Sequence, residues 1–308
     1  MQNPLPVWLL AALPPMFWAG NFVLARALHT DLPPIALSFW RWAVALLILL
    51  PFALPALLRQ RQALGDALRA HWRLLALLAL LGITGYNTLL YLGLQDTTAT
   101  NAVLLSASAP VMIVALSFVL QGERLRPAAV TGLALSLTGV MVIMAKGDPS
   151  AMLRLAPAPG DGLVLATALD WALYSVLLRR RPAGIDPLVF LTTLVALGLL
   201  PLAGLYAWEL STGARFAPTA ANLAAIGYVA VFPSVLAYII WNHAVAALGA
   251  NRTGQYIHLL PAFGVLLGVL LLGEPIEWFH GLGAGLIAAG IVLSARRGPP
   301  PGRSQHQR

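Results

Sequence analysis

Apolar runs of membrane-spanning length, cut by short charged or turn-forming connections, constrain this chain more than any other feature. A hydrocarbon core about 30 Å thick needs roughly 20 apolar residues in a helix that rises about 1.5 Å per residue. Ten runs of that order lie near residues 7–28, 34–56, 73–94, 98–120, 127–146, 161–179, 187–208, 221–243, 251–272 and 277–296. With 59% of its residues hydrophobic and 10% charged, the chain does not have water as its main solvent. The pattern predicts an all-α integral membrane protein with ten transmembrane helices.

The pI near 10.6 does not point to nucleic acid, because the basic residues sit between apolar runs rather than on a soluble domain. Arg59, Arg61, Arg69 and Arg73 separate runs two and three, Arg124 and Arg126 runs four and five, and Arg179, Arg180 and Arg181 runs six and seven. Arg252 falls between runs eight and nine, and Arg296, Arg297, Arg303 and Arg308 close the chain. These are 14 of the 19 basic residues, all in alternate connections, which places both termini in the cytoplasm by the positive-inside rule. A missed helix would scramble that alternation. The first run lacks a basic n-region and a small-residue cleavage site and is interrupted by Pro14-Pro15, so it reads as a membrane helix rather than a secretory signal. The absence of Cys excludes disulfide staples and thiol chemistry.

The chain repeats itself. PVMIVALSFVLQGE at 110–123 returns as PAFGVLLGVLLLGE at 261–274, and at the same offset of 151 Gly132, Gly139 and Gly147 match Gly283, Gly290 and Gly298. At an offset of 153, Trp18-Ala19 and Arg26 match Trp171-Ala172 and Arg179. Runs one to five and six to ten are two copies of one unit. Five is odd, so the second copy enters the bilayer from the opposite side, which is the inverted-repeat architecture of secondary transporters. The expected division is a first five-helix repeat at 1–147, a connection at 148–160, a second repeat at 161–297 and a disordered basic tail at 298–308.

WAGNFVLARAL at 18–28, the LPPIALSFWRWAVA stretch around Arg41, and the duplicated P-x12-E with its following Gly-rich helix resemble the drug/metabolite transporter superfamily. They are similar in particular to its ten-helix exporters built from paired EamA-type domains, over roughly residues 7 to 297. The resemblance implies a secondary exporter of amino acids or similar small metabolites in a bacterial cytoplasmic (inner) membrane. The intramembrane aromatics are similar to the branch that exports aromatic amino acids.

Function is expected on polar and aromatic groups held inside the bilayer. Trp8, Trp72, Trp208 and Trp278 lie near run ends, where interfacial rings belong. Deeper, Trp18 with Asn21, Asn87 with Tyr91, Trp171 with Tyr174, and Tyr238 with Trp241 and Asn242 fall three or four residues apart and so share helix faces. With Tyr86 they are expected to line a cavity for a substrate with a flat or apolar side chain and a polar head. Ionisable groups at membrane depth are costly and are functional candidates by default. Asp170 reads either as a structural ion pair with Arg41 or, like His258, as a contact for the substrate's ammonium group or a carrier of a coupling proton. Arg41 itself is expected to be structural.

Pro110 and Pro261 each remove an N–H and open or kink the helix. Glu123 and Glu274, each after a Gly, end their helices at the membrane surface, where a carboxylate meets Arg or water. Gly264-x3-Gly268 and Gly281-x3-Gly285 predict close helix packing, inside a monomer or across a homodimer.

Other classes fit less well. Lys146, the only lysine, has no Gly-rich phosphate loop before it, which argues against an ATP-driven pump. A membrane-embedded enzyme would need a nucleophile, metal cluster or acid/base set, and there is no HExxH, no Cys and no cluster of carboxylates; no metal or cofactor is expected. Nucleotide sugars or phosphorylated metabolites call for several cations in the cavity, and Arg41 alone is available. Hydrophobic cations remain an alternative cargo. The partners expected are a small-molecule substrate and membrane lipid.

Overall fold

The computed structural model describes residues 6–150, 157–272 and 275–295. Gly273, Glu274, Arg296, Arg297 and the 298–308 tail lie outside the described residues, as does 151–156 of the central connection. No strand occurs among the described residues. We number the helices α1 (Val7–Ala27), α2 (Pro34–Arg59), α3 (Arg61–Gly93), α4 (Ala99–Gln121), α5 (Pro127–Met144), α6 (Asp161–Arg180), α7 (Pro187–Ser211), α8 (Ala220–Leu248), α9 (250–272) and α10 (Trp278–Ala295). Among the described residues eight helices, α1 to α8, are long and apolar enough to cross a membrane.

Two boundaries differ from the sequence expectation. Residues 61–72, expected as a connection, continue α3 as an amphipathic helical extension that bends at His71, whose φ and ψ of −123° and 21° are not helical. Its exposed face carries Asp66 and Arg69, 3.8 Å apart. In α9 the first turn is α-helical at Ala250–Gly254, tightens to a 3₁₀ turn at Gln255–His258 and relaxes at Leu259. Pro261 lies just past that tight turn, as Pro110 lies just past the interruption of α4 at 107–108. In both places the missing proline N–H removes a rung of the helical ladder.

The two repeats pack as antiparallel pairs of equivalent helices. α5 and α10 cross at their glycines. A Cβ placed on Gly132 would fall 2.5 Å from Gly290 O, and one on Gly139 would fall 2.5 Å from Gly283 O. Gly132 is the repeat partner of Gly283 and Gly139 of Gly290, so each contact maps onto the other when the repeats are exchanged. Backbones this close leave no room for a methyl group. The glycines of the expected small-residue motifs behave otherwise: Gly264, Gly281 and Gly285 each face open space.

α2 and α7 form a second such pair. α2 begins with Pro33-Pro34, so its first free N–H groups are those of Ile35 and Ala36. The Glu209 carboxylate, near the end of α7, accepts both at 3.0 and 2.7 Å. A carboxylate there satisfies orphan donors and complements the positive helix end. At the other end of the pair Gln60 accepts from the backbone N of Asp186 at 2.9 Å, while Asp186 caps α7 through Leu188 N at 2.8 Å. The main core, with Trp18, Trp42, Ile83, Trp171, Leu194 and Trp241 among its members, fills the space between the repeats.

Candidate functional site

The site is built on two matching irregularities. α3 contains a π-helical segment at Leu80–Gly85 and α8 contains one at Val231–Leu236, 151 residues later. A π-insertion shifts the ladder and releases a carbonyl, which in lipid must find another donor. In each helix the equivalent carbonyl takes an aromatic donor: Gly82 O accepts from Tyr238 Oη, and Pro233 O accepts from Trp18 Nε1 at 3.1 Å. The rings that supply these donors are thereby fixed at the repeat interface.

Around them seven aromatic residues converge. Trp171 is the hub, with ring centroids 5.0 Å from Trp18, 5.1 Å from Tyr86 and Tyr174, and 5.3 Å from Tyr238 and Trp241. Trp18 also meets Trp241 at 5.2 Å, and Trp42 meets Tyr238 edge-on at 4.9 Å. Trp18 and Trp171 are repeat equivalents in direct contact, so the pseudo-two-fold axis passes between them. The void they enclose, lined also by Ser106, Ala109, Ala168, Ile257 and Leu260, measures only about 10 Å³, room for about one water molecule. The aromatic faces expected to line a cavity are therefore closed against one another here.

Two hydrogen bonds flank the cluster and carry the same symmetry with the residue types exchanged. Tyr91 Oη donates to Asn21 Oδ1 at 2.7 Å, and Tyr174 Oη donates to Asn242 Oδ1 at 2.9 Å. Position 21 corresponds to 174 and position 91 to 242, so the repeats make one bond in opposite directions.

The symmetry breaks at Arg41. Its side chain is 1% exposed and its Nε donates to Ser234 Oγ at 2.8 Å. Nη1 donates to Asn87 Oδ1 and Tyr91 Oη, each at 2.6 Å, and approaches Asn21 Oδ1 at 3.4 Å. The guanidinium carbon lies 5.4 Å from the Trp42 ring and 5.8 Å from that of Tyr91. Every ligand is neutral. α2 and α7 start at equivalent prolines, Pro34 and Pro187, which places Leu194 opposite Arg41 in the second repeat.

Larger spaces open at the arginine-bearing end. A cleft of about 600 Å³ is bounded by Glu123, Arg179, Arg181, Gly184 and Gly249, and reaches inward as far as Asn242, the partner of Tyr174. A neighbouring pocket of about 340 Å³ contains Arg124, Arg126 and Arg252. At the opposite end, beside Lys146 and His280, a third space of about 320 Å³ lies between α1, α4, α5 and α9.

The structure thus brings together Trp18, Tyr86, Trp171, Tyr174, Tyr238 and Trp241, with Asn21 and Tyr91 alongside on Arg41. Asp170 does not join them as expected. No carboxylate lies within ion-pairing distance of Arg41 among the described residues, and Asp170 Oδ2 has no partner. Its carboxylate instead sits against Gly85 at the end of the first π-segment, 2.9 Å from where a Cβ on that glycine would stand. The ion-pair reading fails because α6 turns Asp170 toward α3 while Arg41 is enclosed from α1, α3 and α8. His258 is also directed elsewhere. Its Nδ1 meets Ser136 Oγ at 2.6 Å and its Nε2 donates to Ala107 O at 3.1 Å, the carbonyl freed at the α4 interruption. It ties α9 to α4 and α5.

Glu123 follows Gly122, which ends α4 in the left-handed conformation with φ of 68°, and pairs with Arg179 at 2.6 Å. Glu274 lies outside the described residues. Sequence reasoning missed Trp42, Ser234 and Glu209. Trp42 had a visible signal, a Trp beside an intramembrane Arg. Ser234 had none, because a lone Ser in an apolar run is a common packing residue.

An all-helical chain with closely packed symmetry-related halves around a buried polar and aromatic centre is a membrane transporter fold. Residues 5–145 and 158–296 each match the EamA-like transporter family, and the chain belongs to that family. It is a multi-pass membrane transporter of the drug/metabolite superfamily and not an enzyme. An "Uncharacterized transporter" of Archaeoglobus fulgidus is 29% identical over 293 residues, covering 94% of this chain and 97% of its own. A "Probable terminal-alkyne amino-acid exporter" of Streptantibioticus cattleyicolor is 30% identical over 297 residues, covering 94% and 93%. A solved crystal structure superposes with a TM-score of 0.73 at 22% identity, over 94% of this chain and 96% of that one, and shows the same fold.

Proposed function

We propose that this protein is a secondary exporter of neutral amino acids, aromatic ones included, or of similar small metabolites, working by alternating access in a bacterial inner membrane. On this reading ten helices span the bilayer as two inverted repeats, 1–147 and 161–297, with both termini cytoplasmic. The observation that carries the reading is the contact of equivalent residues at the centre, Trp18 on Trp171, flanked by the exchanged Tyr91–Asn21 and Tyr174–Asn242 bonds. Rocking of one repeat against the other separates such contacts symmetrically, and opens the aromatic cluster to each side in turn. The 600 Å³ cleft that descends to Asn242 from the arginine-bearing end suits an approach from the cytoplasm.

An aromatic cluster with one buried cation suits a zwitterion with an apolar side chain better than a polyanion, which needs several cations at the centre, or a hydrophobic cation, which Arg41 repels. The relative from Streptantibioticus cattleyicolor, whose name describes an amino-acid exporter, supports the same substrate class. The test is release of preloaded labelled Phe, Trp and Met from cells that make the protein and cells that lack it. Faster release from the producing cells is expected. Equal release of all three, with the protein present in the membrane, would remove the amino-acid reading.

A further inference from the structure

We infer that Arg41 is the receptor for a carboxylate on the transported molecule, presenting the edge formed by its Nε and Nη2 nitrogens. The inference rests on the exporter reading above and deepens it.

Three observations lead there. First, the guanidinium is fully enclosed and has only neutral ligands: Asn21, Asn87, Tyr91 and Ser234. A charge at membrane depth ordinarily pairs with an opposite one, and the nearby acid, Asp170, does not serve. Second, the fold does not require the charge. The second repeat builds the equivalent packing of α7 with Leu194, buried in the same core, so a leucine at this point of the unit is compatible with folding. Ile83 stands in that repeat's environment at the position equivalent to Ser234. The polar cage is thus an addition to one copy of a duplicated unit.

Third, the hydrogen bonds divide along the line between the repeats. Nη1 is held by Asn21, Asn87 and Tyr91, all in the first repeat. Nε is held by Ser234, which belongs to the second. Nη2 donates to no acceptor among the described residues. Nε and Nη2 form the fork that a carboxylate engages with two parallel hydrogen bonds. When the repeats separate, Ser234 leaves with its helix while the other three ligands keep the guanidinium in place. The fork then faces the opening, and Ser234 keeps the bond it already donates to Val229 O at 2.7 Å. Substrate and Ser234 compete as acceptors for Nε, so the carboxylate stabilises the open arrangement. Trp42, next to Arg41, meets Tyr238, which meets the hub Trp171, so the molecule's apolar part has an aromatic surface leading away from its anchored end.

The experiment measures equilibrium binding of L-phenylalanine, 3-phenylpropionate and phenethylamine to the purified full-length protein and to Arg41→Leu, Arg41→Lys and Ser234→Ala. In the wild type both acids should bind at least tenfold more tightly than the amine. Arg41→Leu should lose that preference, Arg41→Lys should retain only part of it because an ammonium cannot fork, and Ser234→Ala should bind the acids more tightly. Should Arg41→Leu fail to fold, the Lys and Ser234 variants decide the matter. Amine binding equal to that of the acids, or an undiminished acid preference in Arg41→Lys together with unchanged binding in Ser234→Ala, would overturn the anchor and leave the exporter reading intact. Binding of phenylpropionate without phenylalanine would retain the anchor and remove the amino-acid reading. Binding of neither acid would overturn both.

Discussion

The two halves of the central site make an internal comparison. Both present a π-segment, a Tyr–Asn bond and a tryptophan to the pseudo-axis, yet one encloses Arg41 in amides and hydroxyls where the other buries Leu194 in the apolar core. The shared parts hold the structure together, since either copy needs its freed carbonyls satisfied. The part that differs is free to specialise. A duplicated unit can therefore sort its own residues: on the proposed reading the pairs present in both copies serve the rocking of the repeats, and the polar cage present in one serves the cargo.

The largest effect that sharpens this contrast is expected at the hub. Trp171→Ala removes ring contacts to five neighbours and should lower transport by about 1,000-fold or more, whereas Trp18→Ala removes two ring contacts and one carbonyl bond and should cost roughly 100-fold, if each lost contact is valued at about 1 kcal/mol. Both variants should still insert in the membrane. Initial rates in proteoliposomes check this, and equal losses would break the asymmetry. Asp170→Asn is also expected to abolish transport while the protein folds, because a lone carboxylate against the first π-segment meets no structural partner; normal rates would assign Asp170 to packing.

Smaller effects follow from the exchanged tyrosine bonds. Tyr91→Phe loses bonds to Arg41 and Asn21, Tyr174→Phe only the neutral bond to Asn242. Thermal unfolding in detergent should show a cost of about 1.5–3 kcal/mol for the first and about 0.5–1.5 kcal/mol for the second. Reversal of that order would remove Arg41 from the stabilising network. Glu209→Gln, away from the centre, should lose about 1 kcal/mol through a weakened cap on α2, with substrate preference unchanged.

Much of this was legible in the sequence for plain reasons. Apolar runs and alternating arginines follow from the bilayer as solvent, and the offsets of 151 and 153 marked as repeat equivalents Trp18 and Trp171 and the glycines at 132, 139, 283 and 290, which the structure then brings into contact. What escaped depends on rotation about a helix axis. Gly281 and Gly285 fit a packing motif but face away from any neighbour, while the contact falls on Gly283, between them. The π-segments leave no periodic signal, and each turns the residues after it by an extra part of a turn. In α3 that rotation sets the direction of Asn87 and Tyr91, which face Arg41. The cap by Glu209 joins residues 173 and 174 positions apart, beyond any local pattern.

The decisive experiment is uptake into proteoliposomes holding the purified protein, with labelled Phe, Trp, Thr, Met, a nucleotide sugar and a hydrophobic cation, with and without a pH gradient. Saturable movement of the amino acids, lost in Trp171→Ala, is the expected result. Movement of only the nucleotide sugar or the cation would contradict it, and would mean that Arg41 and its aromatic neighbours serve a different cargo.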